Sequence, residues 1–519
     1  MNGATSSAFR SVPRVPAARR AGSFAETLIR LFFGGNAIIA VVVLVLITLF
    51  LCREGFGFFG GNLQNLRVYR SAGLEYVDIM REQADAQAAL SRALREVRVK
   101  EARGLTNRGV SLDEINAQLA PFDQFADAYS DVGTPLANLV SEVGDQAAEL
   151  KQATLLGAAG EAADTEAPPA AGAVPATLAA IRGSLPNYQK ISAATAVALR
   201  ELLVHPPTLA VPEARDSFGR VEAETRGFLA AFPAQEAKLR AWDPAKPVRW
   251  YHSLTSFLFD RRWITASFWQ DWYGIVPLLV GSVMVSVVAL TLAVPFSVAA
   301  AVYVSEIATR PEQNLIKPYL EFISAIPSVV LGFFGIAVVG QAIRAVSQSN
   351  WFHWVPFFPI SERLNVFTAG ALLALMAVPT IFTLAEDALR NVPRGFKEAS
   401  YALGANRLQT IGRVIVPASL SGIVSAILLG LGRVIGETMV VLLCAGNRIA
   451  IPDFTEGIGA FFQPVHTMTG IIAQEMGEVV RGSIHYRALF MVGLVLFAVT
   501  LLINLAAQKI AAHYRMSVG

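Results

Sequence analysis

Arg433 and Glu437 stand four positions apart in LGLGRVIGETMVV (429–441), a stretch that is otherwise apolar or uncharged. On a continuous helix that spacing places both on one face, one turn apart, where they can pair. Ionisable groups at membrane depth are costly and face a protein interior or a water-filled cavity, so the pair is a candidate site. A guanidinium suits an oxyanion, because its fork gives two charge-assisted hydrogen bonds. Glu437 would compensate the cation when no anion is bound and keep anion binding weak enough for release. Thr438 is a third candidate beside them, although a hydroxyl in a membrane helix has its own backbone as a competing partner. Gly432 and Gly436 would let another helix come close. The structural alternative is an ion pair that locks this helix to a neighbour.

A second patterned stretch lies just upstream, KEASYALGANRLQTIGRVIVP (397–417). Ala399, Ser400 and Ala402 are small enough for a partner surface to approach closely. Gly404 can end the helix by taking a left-handed backbone, after which a second short helix returns to the apolar segment. Glu398 and Ala399 lie on this helix, and Gly404 stands at its end. No GxxxxGK[ST] loop, nucleophile elbow or HExxH helix occurs, so the chain is expected to hydrolyse no ATP itself and any motor is a separate polypeptide. His353, His466 and His485 lack ligand spacing, and Cys52 and Cys444 form no metal or disulfide pattern, so neither a metal nor a cofactor is expected.

The elements that must position these residues are helices in a membrane. With 519 residues, 54% hydrophobic, 16% charged and a mean hydropathy of +0.47, the composition excludes an ordinary soluble protein. A formal charge of +3 gives no reason to expect a nucleic-acid partner. Leu31 to Cys52 is an apolar run of about 33 Å as a helix; it ends LFLCRE rather than in a small-residue cleavage site, so it reads as an uncleaved anchor. Residues 1–30 form a tail, 31–53 the first transmembrane helix, and 54–271 an insert with no run long enough to cross. Amphipathic helices are expected near 74–99, 112–155 and 177–203, with a flexible Ala/Gly/Pro linker over 155–177. Residues 272–512 hold five further spans, near 275–303, 323–343, 367–384, 416–443 and 489–507, and the loop 389–415; residues 513–519 form a second tail. Lys and Arg sort between loops so that both termini lie in the cytoplasm and the insert in the periplasm. Pro295, Pro327 and Pro379 fall within or at the ends of spans and are expected to kink them. Ser324 and Ser328 offer hydroxyls near one of these, and Trp351, Phe352, Trp354, Phe357 and Phe358 read as an interfacial belt.

Glu398-Ala399-Ser400, Gly404 and Val414-Ile415-Val416-Pro417 resemble the EAA motif of the permease subunits of bacterial ABC importers, where the family prefers Ile-x-Leu-Pro at the end. With VPLLVGSVMVSVVALTLAVPFSVAAAVYVSEIA (276–308), EFISAIPSVVLGFFG (321–335), LGLGRVIGETMVV (429–441) and IIAQEMGEVVRGSIHYRALFMVGLVLF (471–497), the resemblance narrows to PstC-type permeases of the phosphate importer. It implies an all-α polytopic inner-membrane protein with six transmembrane helices of the type I importer fold, here carrying a large, mainly helical periplasmic insert between helices 1 and 2. It further implies docking of the Glu398–Gly404 helices on an ATPase subunit and passage of phosphate by Arg433, Glu437 and Thr438. The implied partners are a PstA-like second permease, a PstB-like ATPase dimer, a PstS-like periplasmic phosphate-binding protein, and membrane lipid. The insert departs from compact members of the family. Permeation of another oxyanion such as sulfate or molybdate, and a receptor with an external sensory domain, are the alternatives.

Overall fold

The structure, a computed structural model, describes residues 22–162, 173–265, 267, 269–352, 354–355, 357–360 and 362–513. Most of both expected tails, the middle of the expected linker, and His353 lie outside these residues. Among them, six helices are long and apolar enough to cross a membrane.

The first, α1 (Gly22–Ser71), runs unbroken for 50 residues, about 75 Å. The expected break near residue 53 does not occur. No proline falls between 31 and 71, and the helix beyond Cys52 finds packing partners of its own. Phe58, Asn62 and Tyr69 are buried there, whereas the side chains from Leu28 to Phe50 are largely exposed. Gly73, with φ +81°, then turns the chain into the insert.

The insert comprises α2 (Leu74–Asn107), α3 (Leu112–Asp131), α4 (Thr134–Ala162), α5 (Ala173–Gly183), α6 (Leu185–Val204), α7 (Pro212–Ala241) and α8 (Tyr251–Phe259). On α2 the buried residues Tyr76, Met80, Gln83, Gln87, Leu90, Leu94, Val97, Glu101 and Leu105 recur at three- and four-residue spacing and face one core with Phe122, Tyr129, Leu136 and Phe228. The expected helix over 112–155 is interrupted at Val132-Gly133, dividing α3 from α4. The 30-residue α7 lies beyond the three stretches expected to be helical: Pro212 opens it, and Pro233 lies inside it. Buried Glu101 fixes its start, accepting the backbone N–H groups of Ala210 and Val211 at 2.7 and 3.0 Å. A short antiparallel ribbon, β1 (Trp263–Ile264) with β2 (Trp272–Tyr273), closes the insert. Phe58, Phe257, Trp263, Tyr273 and Ile275 join it to the membrane part through Met468, Leu489 and Val492.

Of the remaining elements, α9 (Val276–Val302) continues through a π-turn to Ile307, and α10 (Arg310–Ala325) is amphipathic with no buried residue. Ile326 and Pro327 are extended, so the third span begins at Ser328, later than expected, and runs as α11 (Ser328–Phe334), a π-turn and α12 (Gly340–Ser347). Next come α13 (Val366–Arg390), α14 (Arg394–Ala402) and α15 (Arg407–Thr410), the last leading through a π-turn into α16 (Val416–Gly436). Finally α17 (Met439–Cys444) and α18 (Met468–Glu475) precede α19 (Ile484–His513). Pro295 and Pro379 sit inside continuous helices, while Pro327 marks a break. The core of this half lies between α9, α13 and α16, where Val285, Ala289, Leu373, Ala377, Ile381 and Ala426 are buried. A Cβ at Gly281 would strike the His466 carbonyl, so the α9 backbone packs directly on the chain entering α18.

Candidate functional site

At the end of the spans opposite the insert, α14 and α15 form a helical hairpin. Pro393 precedes α14, whose position is set by Lys397 on Glu306 at the end of α9, 2.6 Å apart. Buried Glu386 on α13 meets Lys317 of α10 at 2.6 Å and Arg390 at 2.8 Å, so the helices around the hairpin are tied by ion pairs. Gly404 closes α14 with φ +81°. Its N–H donates to the Tyr401 carbonyl (2.9 Å) and the Ala405 N–H to that of Ser400 (3.2 Å), which is the Schellman pattern. Asn406 caps α15 reciprocally with Gln409, and the buried hydroxyls of Ser400 and Thr410 meet at 2.9 Å, pinning the helices together.

This leaves an outward surface. Glu398 and Ala399 are exposed, flanked by Leu403 at 90% and Leu408 at 71% exposure. The two leucines were not singled out from the sequence; their lone apolar character within a polar loop was the available signal. A firmly held polar turn bearing bare leucines has the makeup of a protein-docking surface.

From Arg407 the chain is helical without interruption to Gly436, so Arg433 lies about 40 Å along one helix from the hairpin. The helix then ends: Glu437 is extended (φ −72°, ψ 134°), and α17 is a separate short helix. The four-residue spacing therefore does not put Arg433 and Glu437 on one helical face, and among the described residues no ion pair joins them. Instead Arg433 Nη1 donates to Thr380 Oγ1 at 2.7 Å, and the Glu437 carbonyl accepts from Thr469 Oγ1 at 2.8 Å. The physical reason is this second bond: a hydroxyl from 32 residues downstream satisfies a carbonyl that would otherwise need the helix to continue. Thr438 Oγ1 reaches only the Gly436 carbonyl, at 3.4 Å. Thr380 was not foreseen; a hydroxyl directly after the intramembrane Pro379 was the signal present.

Arg433 and Gly436 are exposed on the flank of the chain, with Glu437 and Thr438 half-buried beside them. One of the five guanidinium N–H donors is used by Thr380, which orients the plane and leaves others for an oxyanion. A cation held by a neutral hydroxyl, with a carboxylate nearby on an irregular backbone segment, can bind an anion and release it without a fixed ion pair to break.

The other expected groups are placed elsewhere. Ser324 Oγ bonds its own backbone at Glu321 (2.6 Å). Phe357 and Phe358 pack with Phe462, the first stacked at 5.2 Å, while Trp351 and Trp354 are exposed. His466 is buried against Gln474, and His485 meets Glu475 at 2.7 Å. Among the described residues no group of side chains could hold a metal ion.

The family model described as "Binding-protein-dependent transport system inner membrane component" matches residues 293–515, which leaves the insert outside the match. A probable ABC transporter permease protein of Bacillus subtilis, YqgH, is 31% identical over 244 residues, covering 47% of this chain and 74% of that protein. The phosphate transport system permease protein PstC of Pasteurella multocida is 31% identical over 253 residues (47% of this chain, 76% of the relative). That of Haemophilus influenzae is 30% identical over 277 residues (51% and 83%). A solved structure of the inward-facing MetNI methionine ABC transporter aligns at 19% identity with a TM-score of 0.33, covering 47% of this chain and 95% of that one.

Proposed function

The chain belongs to the family of binding-protein-dependent transport system inner membrane components, and from that premise we propose that it is a permease subunit of an ATP-driven importer of inorganic phosphate. It is a multi-pass inner-membrane transport subunit, not an enzyme, of an ABC transporter that includes an ATPase and other subunits. Our finer reading is a PstA-like second permease facing Arg433, a PstB-like ATPase dimer engaging Glu398, Ala399 and Gly404, and a PstS-like binding protein delivering phosphate on the insert side. Both termini are then cytoplasmic and the insert periplasmic.

The observation that supports this reading is the unbroken helix from Arg407 to Gly436. Its first turn is fastened to the docking hairpin through Thr410, and its last turn carries Arg433, so a displacement of the hairpin reaches the guanidinium without an intervening joint. Phosphate arriving at Arg433 would exchange water for the free N–H donors, and the helix break at Glu437 would give the backbone room to rearrange as the anion leaves.

The test is radiolabelled phosphate uptake in a deletion strain complemented with wild type, Arg433→Ala or Glu398→Ala. Loss of two charge-assisted hydrogen bonds at about 1.5 kcal/mol or more each lowers uptake by Arg433→Ala about a hundredfold, while the complex with the ATPase still assembles. Glu398→Ala reduces uptake through weaker coupling. Wild-type uptake by Arg433→Ala removes that residue from the mechanism, and uptake of sulfate or molybdate that excess phosphate does not suppress assigns the permease to a different oxyanion.

A further inference from the structure

Some basic residues of the insert are matched with acids. Arg70 meets Glu75, Arg81 meets Asp78, Arg98 meets Asp123, Arg240 meets Glu236, and Arg262 meets Asp260. Others are not, and five of these gather in one place. A cleft of about 740 Å³ opens between α2 and α7 of the insert and the loops of the membrane half around 357–360 and 455–463, and five cations line it: Arg92, Arg95, Lys100, Arg103 and Arg220. Among the described residues none of the five pairs with a carboxylate. The acids of the cleft are Glu96 and Glu456, and Glu456 is engaged by the Gln463 side-chain amide at 2.8 Å.

The arrangement follows from the helix period. Arg92, Arg95, Lys100 and Arg103 recur along α2 at spacings that keep them on one side, turned toward the membrane half, while Arg98 faces elsewhere and is neutralised by Asp123. Across the cleft wall Lys100 Nζ (3.0 Å) and Arg220 Nη2 (3.1 Å) both donate to one atom, the Oγ of buried Ser217. Both acceptor sites of that hydroxyl are thus taken by cations, and two like charges are held together by a neutral group. Lys100 and Arg220 are like charges held close, and the five cations of the cleft outnumber its two acids, Glu96 and Glu456, which favours an anion in it. The floor is fixed, because Arg103 Nη1 donates to the Phe358 carbonyl (3.1 Å) and so ties insert to membrane half. Phe357 and Phe462, stacked on one another, supply an apolar wall beside the charges.

We propose that this cleft is an anion site for a phosphate group, built jointly by the insert and the insert-side loops and distinct from Arg433. The convergent N–H donors and the Lys100–Arg220 pair match the several acceptor oxygens of a tetrahedral dianion. The volume lies in the range of pockets that take a small organic molecule, so the phosphate can be free or carried by an ester whose apolar part rests on Phe357 and Phe462. The site supplies what the insert otherwise lacks, a reason for its α2 face to meet the membrane half where it does.

The test uses the full chain in nanodiscs of phosphatidylcholine, with equilibrium binding of inorganic phosphate and of adenosine monophosphate as separate arms. Saturable binding is expected in at least one arm, weakening as sodium chloride is raised. The order of the two affinities tells a free phosphate from an ester. Lys100→Gln with Arg220→Gln lowers the affinity about tenfold or more, as removal of charge-assisted bonds requires. Arg92→Gln with Arg95→Gln, at exposed positions with no internal ion pair to lose, lowers it in the same direction, so a loss cannot be assigned to misfolding. Arg433→Ala removes at most a second, separate component of phosphate binding, and the cleft component persists in it. Absence of saturable binding in both arms, or binding that all the cleft variants retain, overturns the proposal. Binding that disappears only in Arg433→Ala overturns it while leaving the transport reading intact; cleft binding in a chain that supports no phosphate uptake does the reverse.

Discussion

Substitution at Gly404 separates two explanations of the hairpin formed by α14 and α15. Its φ of +81° lies in the left-handed region, and a Cβ built there meets nothing within 4 Å. A side chain therefore costs backbone torsion alone, with no clash in this chain. For an L-residue with a Cβ that cost is about 1–2 kcal/mol, and it is largest for a β-branched residue. Such a cost shifts the population of the closed turn about 5- to 30-fold. It is opposed only by the local closure bonds, Gly404 N–H to Tyr401 and Ala405 N–H to Ser400. Asparagine tolerates the left-handed region, so it should restore most of what alanine loses even though it is the larger side chain. The assay is phosphate uptake together with phosphate-dependent ATP hydrolysis in the reconstituted complex. The expected order of activity is glycine, asparagine, alanine, valine. If glycine were instead needed for close approach of a partner surface, the order of alanine and asparagine would invert, because size rather than torsion would rule. Wild-type coupling in Gly404→Val, or asparagine no better than valine, refutes the torsional account.

Within the same hairpin, Thr410 Oγ1 meets both the Ser400 hydroxyl and the Asn406 carbonyl, so Thr410→Val strands a buried hydroxyl while Ser400→Ala does not. Amide hydrogen exchange over 394–410 should accelerate by about 1 kcal/mol for Ser400→Ala and by more for Thr410→Val, with the double variant no worse than Thr410→Val alone. At His466, Nδ1 accepts the Thr467 N–H and Nε2 faces the Gln474 side-chain oxygen, an arrangement that the neutral ring satisfies. Burial holds its pKa below the ordinary 6.5, so the unfolded chain takes up the proton first as the pH falls. Its stabilising contribution is complete above that value and is lost below it. The thermal midpoint of the wild type in detergent should therefore fall between pH 7 and 5 more steeply than that of His466→Gln, and parallel profiles would exclude His466 as the source.

The membrane half is legible in the sequence to the extent that apolar run length decides it, because a span needs an apolar exterior wherever it meets lipid. The places where reading and structure part share a cause: a bond from far along the chain. Gly436 weakens the helix locally, but Glu437 is compatible with helix and no proline follows; the bond that holds the break comes from Thr469, 32 residues away. In the same way α1 passes Cys52 because Phe58, Asn62 and Tyr69 find partners in α8 and the ribbon, and α7 starts where it does because Glu101 holds the amides of Ala210 and Val211 just before it. Two signals were present and unread. Thr309 with Glu312 is a capping box that announces α10, and the exposed leucines beside Gly404 lie in plain view of the motif. The left-handed turn at Gly404 was legible because glycine at a helix end is a local constraint.

The continuity of α1 has a mechanical consequence. A rod of about 75 Å whose lower part meets lipid and whose upper part is embedded in folded protein has no joint at which to dissipate rotation. A tilt of only about ten degrees, well within the range that bilayer thickness imposes on spanning helices, sweeps its far end through roughly 13 Å if the rod pivots at its base. The load falls on the contacts between Phe50 and Phe490 and at Gly55 against Leu494, which act as the bearing. Changes in the thickness of the surrounding lipid then load the insert as torque, and the stiffness of this one helix limits how far the insert moves relative to the membrane half.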